Sequence, residues 1–331
     1  MGVIVAHYNN PGIGGAFRFA VHGSLNREIL YVLESLVIVA VDLFMIISGY
    51  FQCRSTRARS RKVIELLVQL MVFETVLYAM KILFGQGEFS WAGLVQVLFP
   101  TDYFIVLYCV TYLLSPYINF ALSKLTQKHF RNLLLLLFLL FSVQSGLLQW
   151  VEHLFDISLS SGSTYSIRGD QEGYNIVTFI LCYLIGAGIR YGVVDVKKPL
   201  YSVLLFFAAF FMVWYKRNWS YSNPFVIIQA ASLFILFVRL PIRDSAWINR
   251  LARASLTVYL LHQTLVVRTG IQIFVTGPAA KMCLHILAVA VGIYAVCFVV
   301  YLVWSKLTKP VFDILFSKIH IPDIDLGISQ S

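Results

Sequence analysis

The chain has 331 residues, of which 59% are hydrophobic and only 13% charged, and its mean hydropathy is +0.78. A soluble domain normally has about a quarter charged residues, so this composition excludes an ordinary soluble protein and predicts an all-α polytopic membrane protein. The net charge of +10 is explained by Lys and Arg in cytoplasmic loops, and no basic helix with interleaved aromatic residues indicates nucleic-acid binding.

The first apolar stretch, residues 1–8, is too short to cross a bilayer, which takes roughly 17–25 apolar residues. We expect it to be the last part of a first span, and we expect no cleavable signal peptide because no basic segment precedes it. The polar, Gly-rich residues 9–34 follow, and their later part is predicted to lie along the membrane interface. The five cysteines form no C-x-x-C pair, so neither a disulfide framework nor a metal site is predicted.

About nine complete spans come next, which together with the fragment make a bundle of about ten helices. They are predicted at about residues 35–51, 63–84, 103–122, 132–150, 176–191, 199–215, 224–240, 255–275 and 283–305. We therefore predict one membrane-embedded domain over residues 1–305 and a short tail over residues 306–331.

The loops between these spans alternate in charge, which predicts their orientation. The basic ones are residues 53–62, 124–131, 190–198 and 239–253 and the tail. Because Lys and Arg collect on the cytoplasmic side, these loops and the C-terminus are predicted to be cytoplasmic, in a protein of the cell membrane. Only Lys216 and Arg217 disagree, since they fall on the outer side.

Ionisable residues occur inside the predicted spans, where each is a functional hypothesis by default. They are His7, Asp42, Glu74, His262 and Arg268. A structural alternative is that they pair with one another, for example Arg268 with Asp42 or Glu74, and hold helices together. Histidine exchanges protons near neutral pH, so the two histidines indicate acid–base catalysis or a proton pathway, although a buried histidine also commonly serves a hydrogen bond of the core.

No nucleophile motif, H-E-x-x-H motif or phosphate loop is present, and Ser48-Gly49 is by itself a small-residue step that lets helices approach closely. Five segments nevertheless carry motifs in a consistent order. They are Ala6-His7-Tyr8, residues 41–51 ending in Ser-Gly-Tyr-Phe, residues 107–119 with Leu-Leu-Ser-Pro-x-x-Asn, residues 183–190 with Tyr-Leu-Ile-Gly, and residues 255–262 ending in Tyr-Leu-Leu-His. Together they resemble the acyltransferase-3 family of integral membrane O-acyltransferases over nearly the whole chain.

The resemblance implies roughly ten spans and the transfer of an acyl group, usually acetyl, from cytoplasmic acyl-CoA to a hydroxyl of a cell-surface glycan or similar acceptor. The family's first span carries an Arg or Lys about three helical turns before a histidine. His7 matches that histidine, whereas the basic residue would fall ahead of Met1. We expect a coding sequence that starts further upstream, the alternative being a degenerate member of the family.

The resemblance also suggests roles for residues of this chain. His7 would take the proton of the acceptor hydroxyl, and Ser48 or Tyr50 would donate to the oxyanion formed at the thioester carbonyl. His262 would orient the acyl chain or help the base. Asp42 would set the tautomer of a neighbour or pair with the missing basic residue.

Acetyl-CoA, the expected co-substrate, carries several phosphates, and no metal is expected. A run of basic residues follows the second span, where those phosphates would arrive: Arg54, Arg57, Arg59, Arg61 and Lys62. Their presence is equally explained by cytoplasmic topology. The outer loop of residues 158–175, with Arg168, Asp170 and Glu172, is predicted to contact a glycan or lipid-linked saccharide acceptor.

Two other functions remain open from the sequence. A proton-coupled transporter or flippase would use Glu74, Asp42, His262 and Arg268 as a relay. A noncatalytic scaffold would bind membrane lipid and proteins of envelope-polymer synthesis, without needing any of these side chains.

Overall fold

The computed structural model describes residues 1–99, 103–144, 146–147, 151, 155, 174–195, 198–241, 244–319 and 321–327. Within these ranges the regular secondary structure is helical apart from one pair of two-residue strands. The helices are α1 (Gly2–Asn9), α2 (Ala16–Phe19), α3 (Leu25–Val37), α4 (Ala40–Gln52), α5 (Ser60–Leu83), α6 (Trp91–Leu98), α7 (Tyr103–Ser123), α8 (Gln127–Phe138) with a π-helical turn at Leu139–Val143, α9 (Ile176–Arg190), α10 (Pro199–Lys216), α11 (Pro224–Arg239), α12 (Ala246–Arg253), α13 (Ser255–Val266), α14 (Ile271–Val275) and α15 (Ala279–Lys318). The strands β1 (Arg57–Ala58) and β2 (Ile324–Asp325) pair antiparallel.

Five helical segments of the described chain are long and apolar enough to cross a membrane. They are Leu25–Gln52, Ser60–Leu83, Phe104–Ser123, Pro199–Lys216 and Ala279–Lys318. Two shorter apolar helices, α9 and α11, pack among them in the core. The prediction of an all-α polytopic membrane protein is confirmed, while the count of about ten spans stays a prediction.

Three predicted boundaries differ from the helices. The segment predicted along the interface instead enters the bundle from Leu25 onward. The helix α3 starts there because the Ser24 side chain accepts a hydrogen bond from the Arg27 amide. The predicted span 255–275 is interrupted at Gly270, whose φ of 65° ends the helical path between α13 and α14. The last span continues as one helix to Lys318, through the predicted domain boundary after residue 305.

Two glycines let α4 and α9 approach each other closely in the core. A Cβ atom on Gly49 would overlap the carbonyl oxygen of Tyr183, and one on Gly186 would overlap that of Ile46. Without side chains at these two positions, the backbones approach closely enough to pack, as at other small-residue helix interfaces in membranes. The Ser48-Gly49 step therefore serves packing, the role its residue types indicated.

The end of α4 is held by a buried side chain of α7. Asn119 donates through Nδ2 to the carbonyl oxygens of Gln52 and Ser55, each at 2.8 Å, and its Oδ1 accepts from the Tyr183 hydroxyl at 2.9 Å. The last carbonyls of a helix have no intrahelical donor, so a buried helix end needs such partners. Asn119 thus joins α4, α7 and α9 just before the basic loop begins.

Candidate active site

Three consecutive residues of α1 contact three different helices. His7 contacts His262 of α13, the Tyr8 hydroxyl lies 2.9 Å from Nδ1 of His285 in α15, and Asn9 donates to Glu34 of α3 at 2.8 Å. Successive residues of an α-helix point about 100° apart, so this short helix is surrounded on three sides. These contacts fix the rotation of α1 and thereby the direction of the His7 ring.

His7 and His262 form a stacked pair of imidazoles. Their ring centroids lie 4.5 Å apart with an interplanar angle of 23°, and Nδ1 of His7 is hydrogen-bonded to Nε2 of His262. His262 is completely buried, whereas His7 is only partly covered. The pair therefore has one ring fully inside the bundle and one residue that is only partly covered.

The backbone of α13 determines which nitrogens of this pair carry hydrogen. Nδ1 of His262 lies 3.0 Å from the carbonyl oxygen of Val258 and 2.6 Å from that of Tyr259. Carbonyl oxygens only accept, so Nδ1 of His262 is the protonated nitrogen and Nε2 of the neutral ring is an acceptor. His7 then donates from Nδ1, which leaves the lone pair of its Nε2 unused, and no hydrogen bond reaches that nitrogen within the described residues. A base with a free lone pair follows from the contacts alone.

A column of aromatic rings connects the histidine pair with the basic loop. The Tyr259 ring lies 5.8 Å from His262 and 4.7 Å from Phe104, measured between centroids. Phe104, Tyr108 and Tyr112 are four residues apart on one face of α7, and their rings stack at 6.4 and 6.2 Å. The column ends at Lys62 of the basic loop.

Lys62 caps this column at its loop end. Its Nζ donates to the Tyr108 hydroxyl at 2.9 Å and lies 4.5 Å from the centroid of the Tyr112 ring. The Tyr112 hydroxyl in turn accepts from the Arg59 backbone amide at 3.0 Å. The basic loop and the histidine pair are therefore joined by continuous side-chain contacts, an arrangement that the sequence patterns did not reveal.

The other predicted cationic residues of this loop have varied partners. Arg57 and Arg61 make ion pairs with Asp323 and Asp313 of the C-terminal segment. The Arg54 guanidinium lies over the Tyr191 ring at 6.0 Å, while the Arg59 side chain is exposed. These aspartates were not predicted to contact the loop, although the sequence shows acidic residues near its C-terminus that could pair with a basic loop.

The hydroxyls of Ser48 and Tyr50 have partners away from the histidine pair. Ser48 donates to the carbonyl oxygen of Phe44, one turn earlier in α4, at 2.9 Å. Tyr50 accepts from Arg190 at 3.2 Å, and its ring packs against Phe234. These contacts do not bring either hydroxyl to His7, so their role as oxyanion donors stays a prediction without geometric support.

Asp42 is 2% exposed and lies against α9. The Cys182 thiol is hydrogen-bonded to its carboxyl group, and Oδ2 has no hydrogen-bond partner within the described part of the chain. The Nδ1 atom of His262 faces the carbonyls of Val258 and Tyr259 instead of Asp42, so the suggestion that Asp42 sets the tautomer of a neighbour stays a prediction without geometric support.

Arg268 is not inside a span, contrary to the prediction. The helix α13 ends at Val266, and the exposed Arg268 side chain donates to Gln86 Oε1 at 2.9 Å. The suggested pair of Arg268 with Asp42 is therefore absent. Glu74 lies partly exposed in α5. The predicted acceptor contacts Arg168, Asp170 and Glu172 lie outside the described residues.

The helices, the spans and the hydrogen-bonded histidine pair define an integral membrane protein whose core site is suited to acid–base chemistry. The chain belongs to the acyltransferase-3 family, described as an acyltransferase domain, which matches residues 1–302. The resemblance carried by the five ordered motifs is thus confirmed, and the protein is a membrane acyltransferase by family. No curated protein and no solved structure is detectably similar to the chain.

Proposed function

We propose that the protein is a membrane O-acyltransferase that moves an acetyl or similar acyl group from cytoplasmic acyl-CoA to a hydroxyl of a cell-surface glycan or lipid-linked saccharide. Membership of the family supports the transfer of an acyl group. The single observation that carries the proposed chemistry is the hydrogen bond between His7 Nδ1 and His262 Nε2, because it leaves His7 Nε2 free to accept a proton.

In this mechanism His7 acts as the general base and then as the general acid. Nε2 of His7 takes the proton of the acceptor hydroxyl while the hydroxyl oxygen bonds to the thioester carbonyl carbon. The carbon–sulfur bond then breaks, and the proton on His7 passes to the departing thiolate sulfur. A positioned side chain that transfers protons in this way typically accelerates a reaction by about 10²–10⁴-fold.

His262 acts as a positioning residue behind His7. Its Nε2 accepts the Nδ1 hydrogen of His7, which fixes the His7 tautomer and stabilises the positive charge that develops when His7 is protonated. The buried carbonyls of Val258 and Tyr259 hold His262 in turn. Other enzymes activate a hydroxyl nucleophile with the same arrangement, in which a base is oriented by a second group and that group is held by a fixed partner.

The column of rings on α7 supports a route for the donor. Phosphates of CoA would be attracted to Arg54, Arg59 and Lys62, while the acyl end would extend along Tyr112, Tyr108 and Phe104 toward His7. From residue 104 to residue 112 an α-helix rises about 12 Å. Such a route places the charged part of the donor at the predicted cytoplasmic face and its thioester inside the bundle.

The alternative of a proton-coupled transporter has less support from these contacts. Its relay would have to include both Asp42 and Arg268, but Asp42 contacts Cys182 and Arg268 donates to Gln86. Within the described part of the chain, Asp42 and Arg268 therefore have separate partners and are not hydrogen-bonded to each other.

The proposal is tested by supplying radiolabelled acetyl-CoA to membranes with and without the protein. We expect label to appear in a saccharide fraction and to be released by mild base, as esters are, only where the protein is present. Proton-dependent solute uptake without any requirement for acetyl-CoA would favour the transporter instead.

A further inference from the structure

The C-terminal segment folds back onto the basic loop. Beyond α15, β2 pairs with β1 so that Arg57 lies opposite Asp325 and Ala58 opposite Ile324. The amide of Leu326 donates to the carbonyl oxygen of Thr56 at 3.3 Å and extends the pairing by one bond. A loop that would otherwise be open to the predicted cytoplasm is thus covered along one edge by the chain itself.

Acidic side chains of this segment lie against the arginines of the loop. The Arg57 guanidinium contacts Asp323 at 2.5 Å and Asp325 at 3.9 Å. Arg61 contacts Asp313, near the end of α15, at 2.7 Å. Two of the five cations that the sequence assigned to phosphate binding are therefore neutralised by the protein's own carboxylates.

Asp323 also occupies the start of α5. Its Oδ1 accepts from the Ser60 backbone amide at 2.9 Å, and the Ser60 hydroxyl donates to the carbonyl oxygen of Pro322 at 2.7 Å. Free amides and the helix dipole make a helix N-terminus attractive to anions such as phosphate. The carboxylate of Asp323 thus takes a position, beside Arg57, that suits a phosphate group.

The contact is small and at least one partner of each ion pair is well exposed. The side-chain exposures are 56% for Arg57 and 47% for Asp325, whereas Asp323 is more covered at 19%, and the sheet has only two residue pairs. Exposed ion pairs contribute little because water solvates both partners well when they separate. A ligand that carries several phosphates can therefore replace these carboxylates at the arginines.

We propose that the acidic segment of residues 313–327 is an intramolecular competitor of polyanionic ligands for the basic loop, which a phosphate-bearing donor must displace in order to bind. The inference rests on the proposed function in taking acyl-CoA as that donor. The loop then has two alternative occupants, the C-terminal strand or the donor's phosphates. The affinity for the donor therefore depends on residues outside the histidine site.

The test measures CoA binding, without an acyl group, to the detergent-purified full chain by calorimetry. The variant D323N/D325N removes both charges that face Arg57 and keeps the side-chain shapes. We expect it to bind CoA about three- to tenfold more tightly than the parent protein, because weak ion pairs no longer compete. The matched control is D195N, since Asp195 forms an ion pair with Arg239, which is not one of the cations of this loop.

Equal CoA affinity in the parent protein and D323N/D325N would overturn the competition, as would an equal gain in D195N. If the parent protein and both variants fail to bind CoA, the proposed donor is wrong, and inorganic pyrophosphate then tests the competition by itself. Tighter pyrophosphate binding by D323N/D325N alone would support it, and equal binding by all three proteins would end it. Equal thermal midpoints of the three proteins exclude misfolding as the cause.

Discussion

His262 lies completely buried behind His7 and accepts the Nδ1 hydrogen of His7 through its own Nε2. The direction of this bond is decided by two backbone carbonyls of α13, which can only accept and therefore hold the hydrogen of His262 on Nδ1. The backbone carbonyls that hold His262 thus determine that Nε2 is the nitrogen of His7 that can accept a proton. Changes at His262 should alter the efficiency of His7 without altering donor binding.

Replacing His262 tests this relationship. His262→Gln keeps an acceptor for the His7 hydrogen, whereas His262→Ala removes it. We expect His262→Ala to lower kcat by about 10–100-fold, as losses of orienting partners do, and His262→Gln to lower it less, with KM for acetyl-CoA unchanged in both. Initial rates over a range of donor concentrations check this. Equal kcat losses in the two variants, or a change confined to KM, would mean that His262 serves packing instead.

The glycine contact between α4 and α9 predicts a large effect on stability. Gly186→Ala forces a methyl group into the carbonyl oxygen of Ile46, and overpacking of this kind costs about 1–3 kcal/mol. Gly292→Ala is the matched control, because a Cβ atom there meets nothing within 4 Å, and the helix propensity of Ala should leave stability equal or about 0.5–1 kcal/mol higher. The free energy of unfolding of each variant is measured in mixed detergent micelles. Equal stability of the two variants would refute the close approach of α4 and α9.

The buried hydrogen bonds of Asn119 lead us to expect a second effect on stability. Asn119→Ala removes the donors to Gln52 and Ser55 and the acceptor for the Tyr183 hydroxyl, all inside the bundle. A buried polar group without a partner costs about 1–3 kcal/mol, so we expect at least that loss in the free energy of unfolding. Ser123→Ala, on an exposed part of the same helix, should stay within about 0.5 kcal/mol of the parent protein. A similar loss of unfolding free energy in both variants would mean that the hydrogen bonds of Asn119 do not stabilise the bundle.

The contact of the C-terminal strand with the loop should persist in mild acid. Partial burial acts to raise the pKa of Asp323, but hydrogen bonds from Arg57 and the Ser60 amide, with the nearby charge of Arg59, outweigh it and lower the pKa. The contribution of an ionised carboxylate with a lowered pKa is present above its ordinary pKa and is lost only as the pH falls through the lowered value. Protease accessibility of the segment should therefore stay low down to about pH 5 and rise only below about pH 4.

The variant D323N provides the reference for this titration. It should expose the segment to protease more than the parent protein at neutral pH and should show little further change on acidification. Release of the parent segment between about pH 7 and pH 6 would instead indicate a histidine-controlled contact and would contradict the assignment to Asp323.

Composition and loop charge were sufficient to predict a helical membrane protein, because a bilayer demands long apolar helices whatever their order. The ordered motifs were sufficient for the family, and the motif residues Gly49, Asn119 and Gly186 prove to be packing and helix-end contacts. Helix ends were predicted less well. Gly270 breaks a span that reads as continuous by hydropathy, and the capping residue Ser24 starts α3 inside a segment that reads as polar.

The site was only partly predictable from the sequence. His7 and His262 stood out as histidines in apolar spans, but their contact joins residues far apart in the chain, and hydropathy carries no such information. The roles of Val258 and Tyr259 were hidden because they act through backbone carbonyls. His285 was a detectable polar group in the last span, yet its partner Tyr8 depends on the rotation of α1.

The central claim, that His7 is the base of acyl transfer, is tested most directly by the rate of acetyl transfer in His7→Ala, with His22→Ala, an exposed histidine of the loop before α3, as control. With thermal midpoints equal to that of the parent protein, we predict a loss of about 10²–10⁴-fold for His7→Ala, none for His22→Ala, and partial recovery of His7→Ala on adding imidazole. A transfer rate for folded His7→Ala within about twofold of the parent rate would contradict the account.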